Sequence, residues 1–223
     1  DGPVSGAAAY VDMNCNDMQD ADEPFGESDE NGFFQLKTEL ALAEGCTGKF
    51  YSIGGTDTTT GKVLENIQLA ADLPIKVTVT DENGVETQEF PPVAITPLTT
   101  IIAAAETVEE KQAVLVSLGL ENVSIQEALT IDPWAGSQDE GTTDAAVAAS
   151  MVAQAIQRVN AQVATIIKVA ASIARTSEVG EQTAAERAAS LAAAVQAVSK
   201  AIVKKSVAAV TESVATGLPV RVN

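Results

Sequence analysis

The sequence predicts an α+β protein: an N-terminal antiparallel β-sandwich, then an Ala-rich helical domain with a long antiparallel αα-hairpin. Two observations lead to this. Near Thr96 the hydrophobic pattern changes from short alternating runs, separated by turn residues, to the 3.6-residue spacing of helices. The 223 residues are also 46 % hydrophobic, which is enough to bury a core. We expect a sandwich over residues 1–95, a helical domain over 96–217, and a tail or short strand over 218–223.

The first half alternates between apolar stretches and turn residues. Residues 75–80 alternate strictly and lead into Asn83-Gly84, which predicts a hairpin. Several short strands at this spacing are typical of a sandwich. Pro91-Pro92 then ends the sheet. The predicted strands cover residues 7–12, 32–37, 49–53, 63–69 and 75–80.

The second half carries repeated helix start signals. Thr96-Pro97 is an N-cap followed by proline at the first helical position. Three Ser or Thr residues precede a glutamate by three positions and so predict capping boxes, at Thr107, Ser124 and Thr183. Three glycines mark expected helix ends, at Gly119, Gly180 and Gly217. The predicted helices cover residues 97–105, 108–118, 125–130, 144–175 and 184–214.

The two long helices are expected to pack on each other. In the first of them, seven apolar residues are spaced alternately by four and three, as in a coiled-coil seam: Val152, Ile156, Val159, Val163, Ile166, Ala170 and Ile173. Residues 176–182 would close the hairpin. The tail after Gly217 leaves the helical pattern, and it is either a short strand or a frayed terminus.

The charge balance excludes several classes of partner. The chain has 31 acidic and 13 basic side chains, a formal net charge of −18, and no histidine. Nucleic acids and anionic membranes need clustered Lys and Arg, so neither is expected as a partner. The longest apolar runs, such as residues 145–152, are well short of the roughly 20 residues that span a bilayer, so membrane insertion is not expected either.

One segment has the spacing of a calcium loop. Oxygen-bearing groups fall at positions one, three, five, seven, nine and twelve of a twelve-residue loop, the arrangement with which EF-hand-like loops bind Ca²⁺. The expected ligands are Asp12, Asn14, Asn16, Met18 through its backbone carbonyl, Asp20 and Glu23. Asp17 stands where this motif has glycine. The alternative is an acidic, solvated turn without an ion.

Two cysteines lie near this segment. Cys15 is inside the acidic loop and Cys46 follows Gly45, just before a predicted strand. In an oxidising compartment they would form one disulfide that ties the loop to the sandwich. The alternative is two unrelated thiols.

Five segments resemble a recurrent module of large secreted bacterial surface proteins and adhesins: residues 2–16, 20–24, 28–34, 54–61 and 96–100. In that family a strand leads into a calcium loop, then Glu-Pro, then an Asp-x-Asn-Gly-aromatic turn, and a Thr-Pro segment leads on into helices. The resemblance covers roughly the first 135 residues. It implies a prealbumin-like or B-type repeat sandwich, stiffened by calcium at the same six loop residues, outside the cell, without catalysis.

Three functions are weighed from these features. The first is a non-enzymatic, calcium-stabilised extracellular protein of the bacterial cell surface, which forms part of a fibre, filament or adhesin together with copies of itself or other surface proteins. The second is an adhesin-type binding module for a carbohydrate or protein, with Trp134 as an anchor for the ligand. The alternative role for Trp134 is to fill the hydrophobic core. An enzyme is the third and is not expected, since no phosphate loop, nucleophile elbow or metal-hydrolase motif is found.

Overall fold

A computed structural model describes residues 2–36, 41–80, 84, 86–138, 143–177, 183–217 and 219–220. It has antiparallel sheets in the N-terminal part and helices in the C-terminal part, so the α+β class is confirmed. The predictions made for Lys37, for residues 81–83, for Gly180 and for residue 218 with the last three residues lie outside the described residues.

The described residues of the N-terminal part form eight strands. They are β1 Val4–Ser5, β2 Ala8–Asp12, β3 Phe25–Glu27, β4 Lys49–Ile53, β5 Thr56–Asp57, β6 Gln68–Asp72, β7 Val77–Thr80 and β8 Glu86–Glu89. The central sheet has the order β3-β2-β4-β6, and β1-β5 and β7-β8 form two further pairs. All the pairings are antiparallel.

Six helices follow. They are α1 Pro97–Ala103, α2 Val108–Ser117, α3 Ile125–Thr130, α4 Pro133–Gln138, α5 Asp144–Ser177 and α6 Ala184–Thr216. The capping boxes predicted at Thr107, Ser124 and Thr183 are present, and α6 ends at Gly217 with a left-handed φ of 67°. The local start and stop signals therefore determine most helix bounds.

α4 is not in the predicted set. Its first turn is held by Asp132, whose Oδ1 accepts hydrogen bonds from the backbone N–H groups of Trp134 (2.8 Å) and Ala135 (3.0 Å). Pro133 at the first helical position supports the same start. The Asp132-Pro133 pair is a signal for a helix start, but Gly136 inside so short a segment argues against a helix.

The strand predicted over residues 32–37 is wrong for its described part, residues 32–36. Gly32 has a φ of 80°, and Asp29 accepts hydrogen bonds from the backbone N–H groups of Asn31 and Phe33, so the chain turns here. Phe34 instead packs edge-on against Phe50. The segment covers one face of the central sheet with side chains and forms no strand.

The strand predicted over residues 63–69 lies further along the chain. Glu65 and Asn66 have φ values of 36° and 63°, which interrupt an extended backbone. Val63 keeps only an isolated bridge to Thr56, and β6 begins at Gln68. Asparagine tolerates the left-handed region better than most residues, which is the one local signal of this break.

The central sheet packs against the helices through one face. Tyr10 pairs with Tyr51, and Tyr51 pairs with Ala70, so these side chains share a face. The two tyrosine rings stack at 5.0 Å, and Ala103 of α1 packs on this group. Hydrogen bonds join the two parts, because the Thr100 hydroxyl accepts from the Ala70 N–H at 2.9 Å.

The predicted seam of α5 is correct in its first half only. Ile156, Val159 and Val163 are buried, but Ile166 and Ile173 are exposed, and Ile167 is buried in their place. A helix with about 3.6 residues per turn drifts away from a 3.5-residue repeat, so the buried face moves by one residue within a few turns. α5 and α6 pack against each other and against α1.

Candidate metal centre

The loop between β2 and β3 is organised by one buried carboxylate. Asp12 ends β2 and is fully buried. Its Oδ1 accepts hydrogen bonds from the N–H groups of Asn14 (3.2 Å), Cys15 (2.6 Å) and Asn16 (3.3 Å), and its Oδ2 accepts from Asp17 at 2.8 Å. Four successive amides thus wrap around this side chain and fix the first half of the loop.

Two residues of the loop adopt the left-handed conformation. Cys15 has a φ of 61° and Asp17 a φ of 59°. Asp17 is the position at which the loop motif has glycine. A left-handed backbone costs a residue with a Cβ about 1–2 kcal/mol, so other contacts must hold these two in place.

The side chains of the loop meet at Asp20. The Nδ2 groups of Asn14 and Asn16 both donate to Asp20 Oδ2, at 2.7 and 2.8 Å. Glu23 closes the loop, since its Oε1 accepts from the Met13 N–H at 2.6 Å and its Oε2 from the Asp20 N–H at 3.0 Å. The Met18 side chain lies in solvent. All five side chains expected as ligands therefore belong to one hydrogen-bonded loop.

The donor set can be tested against calcium chemistry. All the candidate groups are hard oxygen donors, which Ca²⁺ prefers. An ionised carboxylate has about four lone-pair positions, and Glu23 uses one on each oxygen. Asp12 Oδ2 also accepts a single hydrogen bond. Free lone pairs therefore remain on carboxylates at both ends of the loop.

Over the part of the chain that the structure describes, no group of three or more His, Cys, Asp or Glu residues is placed so that it could hold a metal ion. Asn14, Asn16 and the Met18 carbonyl would therefore have to provide a large share of any coordination.

The predicted disulfide is confirmed. Cys15 and Cys46 are bonded at 2.08 Å across 31 positions of sequence. The bond joins the middle of the loop to the segment just before β4. It holds Cys15 at one of the two left-handed positions.

Asp17 is held by the central sheet. The Tyr51 hydroxyl donates to Asp17 Oδ1 at 2.5 Å, and the Lys49 Nζ lies 3.4 Å from the same oxygen. Burial raises the pKa of Asp17, but the Tyr51 hydrogen bond and the Lys49 charge lower it further, and the net pKa is below its ordinary value. No local pattern indicates these contacts, because Lys49 and Tyr51 are alternate residues of a strand far along the chain.

A cleft of about 420 Å³ adjoins the loop. Cys15 and Asp17 line one side, Tyr51 the sheet side, and Ser199 and Lys200 of α6 the opposite side. The Ser199 hydroxyl is buried and, within the described residues, is the one buried side-chain N or O atom that makes no hydrogen bond. The cleft exists because α6 packs over the sheet, which no local pattern predicts.

Trp134 lies apart from the loop. It is half-buried on α4 and lines neither the cleft described above nor the second one, of about 240 Å³, between Lys62 and Arg175. Whether Trp134 anchors a ligand or fills the hydrophobic core therefore stays a prediction.

The helices and the comparisons with known proteins bear on the site as follows. Within the described ranges, no helix has both the length and the apolar character needed to cross a membrane. Comparison with protein-family models, with curated proteins and with solved structures gives no match.

Proposed function

We propose that this protein is a non-enzymatic structural protein of the bacterial cell surface, stabilised by calcium, which forms part of a fibre, filament or adhesin by self-association. The observation that carries the proposal is the loop of residues 12–23, in which oxygen side chains at ligand spacing share one hydrogen-bonded turn. In this proposal the central sheet belongs to a sandwich, and α5 and α6 form an antiparallel hairpin.

Calcium would relieve a charge problem in the loop. Five carboxylates lie within twelve residues: Asp12, Asp17, Asp20, Asp22 and Glu23. Lys49 is the cation paired with one of them, Asp17. Like charges at such distances repel, and a divalent cation offsets that repulsion. The resulting stabilisation follows mass action, because the ion binds the folded loop and not the unfolded chain.

The disulfide supports an extracellular location. Disulfides form and persist in oxidising compartments and are rare in the cytosol. Here the bond closes on the candidate metal loop itself. A secreted protein would meet calcium and an oxidising environment together.

The distribution of charge supports self-association. Residues 1–149 carry 27 acidic and 5 basic side chains, while residues 150–223 carry 4 acidic and 8 basic ones. If the acidic segment of one copy contacts the basic segment of another, a head-to-tail contact that does not close grows into a filament. The alternative is that these basic residues only form the water-exposed polar faces of the long helices.

The calcium proposal is tested with a pair of matched variants. Asp20→Asn removes a charge from a ligand position, and Asp22→Asn removes the same charge from an exposed position outside the ligand set. We expect Asp20→Asn to weaken calcium binding at least about tenfold, about 1.4 kcal/mol, and Asp22→Asn to change it far less. Calorimetric titration and melting with and without chelator measure both. Equal effects, or a melt that calcium does not shift, contradict the proposal.

Self-association is tested separately. Sedimentation and electron microscopy of the full chain, at low and high salt and with calcium or chelator, should show assemblies that dissociate as salt rises, because salt screens surface charge. A monomer under every condition would remove the assembly from the proposal but leave the calcium site standing.

A binding module remains the second candidate. The cleft favours it, because Tyr51, Gln68, Thr100 and Gln196 give it hydroxyl and amide groups of the kind that bind sugars. Glycan-array binding that Gln196→Ala abolishes, in a protein that melts normally, would support this function. Loss of binding in Trp134→Ala alone would place the ligand at α4 instead.

A further inference from the structure

The cleft between the central sheet and α6 contains a buried hydroxyl without a partner. Ser199 lines the cleft and is 1 % exposed, and within the described residues its Oγ makes no hydrogen bond. A buried donor that lacks an acceptor lowers stability, so such groups are rare in native structures. Because Ser199 lines the cleft, a molecule that fills the cleft is in position to supply the missing acceptor.

Other buried serines of the long helices have partners. Ser206 lies seven residues further along α6, two turns away on the same side, and its Oγ accepts a hydrogen bond from the Ser117 hydroxyl at 2.7 Å. Ser150 of α5 accepts from the Gln154 amide at 3.4 Å. α6 therefore places one hydroxyl against packed protein, at Ser206, and another beside the open cleft, at Ser199.

Two further polar residues of α6 line the cleft next to Ser199. Gln196 precedes it by three positions and Lys200 follows it directly, so the three share one side of the helix. Among the residues that the structure describes, neither Gln196 nor Lys200 forms a side-chain hydrogen bond or ion pair. An ammonium, a hydroxyl and an amide can all donate to one carboxylate, and bonds to a charged acceptor are the stronger kind. The α6 wall of the cleft therefore fits an anionic group.

The sheet wall of the cleft offers acceptors instead. Asp17 uses its Oδ1 for Tyr51 and Lys49, and Asp72 uses its Oδ2 for Lys111 at 2.8 Å. The other oxygen of each carboxylate makes no hydrogen bond within the described part of the chain. These oxygens can accept from hydroxyl groups of a ligand. Since a lysine already balances each charge, they repel an anionic ligand only weakly.

The size and floor of the cleft fit one sugar ring. Its volume of about 420 Å³ lies in the range of small-molecule sites. Glu106, the remaining charge in its lining, is exposed, so solvent screens it. The floor is apolar and is kept open by short side chains, on which the C–H groups of a ring can pack. Five lining residues are alanines: Ala70, Ala103, Ala104, Ala105 and Ala192.

We propose that this cleft binds a hexuronate, a six-carbon sugar whose C6 is a carboxylate. The carboxylate lies against Ser199 and Lys200, and ring hydroxyls donate to Asp17 and Asp72. This inference rests on the second candidate function, the binding module, and gives it a ligand class. It depends neither on calcium nor on self-association.

Three probes of the full, disulfide-bonded chain test the ligand class. D-Glucuronate carries both the carboxylate and the hydroxyls, D-glucose lacks the carboxylate, and cyclohexanecarboxylate lacks the hydroxyls. We expect D-glucuronate to bind at least about tenfold more tightly than either of the others in calorimetric titration, because only it uses both walls. Its affinity should fall in Lys200→Gln and, for the wild-type protein, as salt rises.

A matched pair of serine variants tests the contact itself. Ser199→Ala should weaken D-glucuronate binding about tenfold, while the ligand-free protein melts at the same or a higher temperature, because an unsatisfied hydroxyl has been removed. Ser206→Ala loses the bond to Ser117, so it should lower the melting temperature and leave the affinity unchanged. A role of Ser199 in folding alone would give the reverse pattern for Ser199→Ala.

The remaining outcomes overturn the inference in different ways. Equal binding of D-glucose and D-glucuronate removes the acidic ligand but keeps the binding module. Equal weakening by Ser199→Ala and Ser206→Ala places the sugar outside the cleft. If D-glucuronate does not bind at up to about 10 mM, the inference fails, while calcium titration of the same samples still tests the calcium site by itself.

Discussion

The hydroxyl of Tyr51 donates a hydrogen bond to the carboxylate of Asp17, 34 positions earlier in the chain. Tyr51 lies on the central strand β4, and Asp17 is a left-handed residue of the candidate metal loop. Burial raises the pKa of Tyr51, and the hydrogen bond to Asp17 raises it further. The phenol therefore stays protonated and remains a donor at neutral pH. The contact anchors the loop to the sheet.

Replacing Tyr51 by Phe removes this anchor. We expect the free energy of unfolding to fall by about 1 kcal/mol, since Asp17 is partly exposed and water replaces much of the lost bond. Tyr10→Phe is the control, because Tyr10 stacks on Tyr51 but accepts only a neutral hydrogen bond from Gln68. Urea unfolding of the two variants measures the difference, and a larger loss in Tyr10→Phe would contradict the prediction.

Removing the disulfide should destabilise the protein and loosen the loop. For a separation of 31 residues, chain entropy predicts a loss of about 3–4 kcal/mol in the Cys15→Ser, Cys46→Ser double variant. Calcium affinity should fall as well, because the unlinked loop has more freedom to lose on binding. Melting and calorimetric titration measure the two effects, and a double variant with unchanged calcium affinity would show that the bond does not organise the loop.

The contribution of the Asp57 carboxylate to the stability of the protein should be lost in acidic solution. This residue of β5 is buried, and burial raises its pKa, but hydrogen bonds from the Thr60, Thr59 and Gly2 N–H groups lower the pKa below its ordinary value. A depressed folded pKa stabilises the protein fully above the unfolded value, about 3.9, and this contribution is lost as the pH falls through the folded pKa.

The Asp57→Asn variant tests this dependence. The difference in unfolding free energy between wild type and variant should be constant above about pH 5 and should shrink in more acidic solution. Urea unfolding between about pH 2.5 and about pH 7, a range that brackets the transition, measures it. A difference that stays constant across this range would show that Asp57 does not contribute.

Asn160 links α5 to the start of α1. Its Oδ1 accepts a hydrogen bond at 2.8 Å from the buried N–H of Leu98, one of the amides that the first turn of a helix leaves without a partner. Asn160→Ala should lower the free energy of unfolding by about 1–3 kcal/mol, because the Leu98 amide is left without a hydrogen-bond partner. Gln157→Ala on the same helix is the control and should cost far less by chemical denaturation.

Local signals in the sequence determined many elements. β4 covers the predicted residues 49–53, and α3 covers the predicted residues 125–130. The hydroxyl and glutamate of a capping box are three residues apart and satisfy each other within one turn, so no distant residue is needed. The spacing of the loop oxygens is local in the same sense.

Other features were beyond a local pattern. Residues 32–36 are apolar enough for a strand, but Phe34 packs on Phe50 as a cover for the sheet. Likewise the 3.5-residue seam placed Ile166 in the core, while the helix buries Ile167 instead. Several faces of a segment can be apolar, and which face is buried depends on what packs against it.

The sequence by itself determined the α+β class, the starts of five of the six described helices and the spacing of the oxygen side chains in the loop, because backbone preferences and capping bonds act over a few residues. Only the tertiary structure decided that Tyr51 and Lys49 hold Asp17, that α6 closes a cleft beside the loop, and that α5 buries Ile167 rather than Ile166. These contacts join residues far apart in the chain, and only packing of the whole core brings them together.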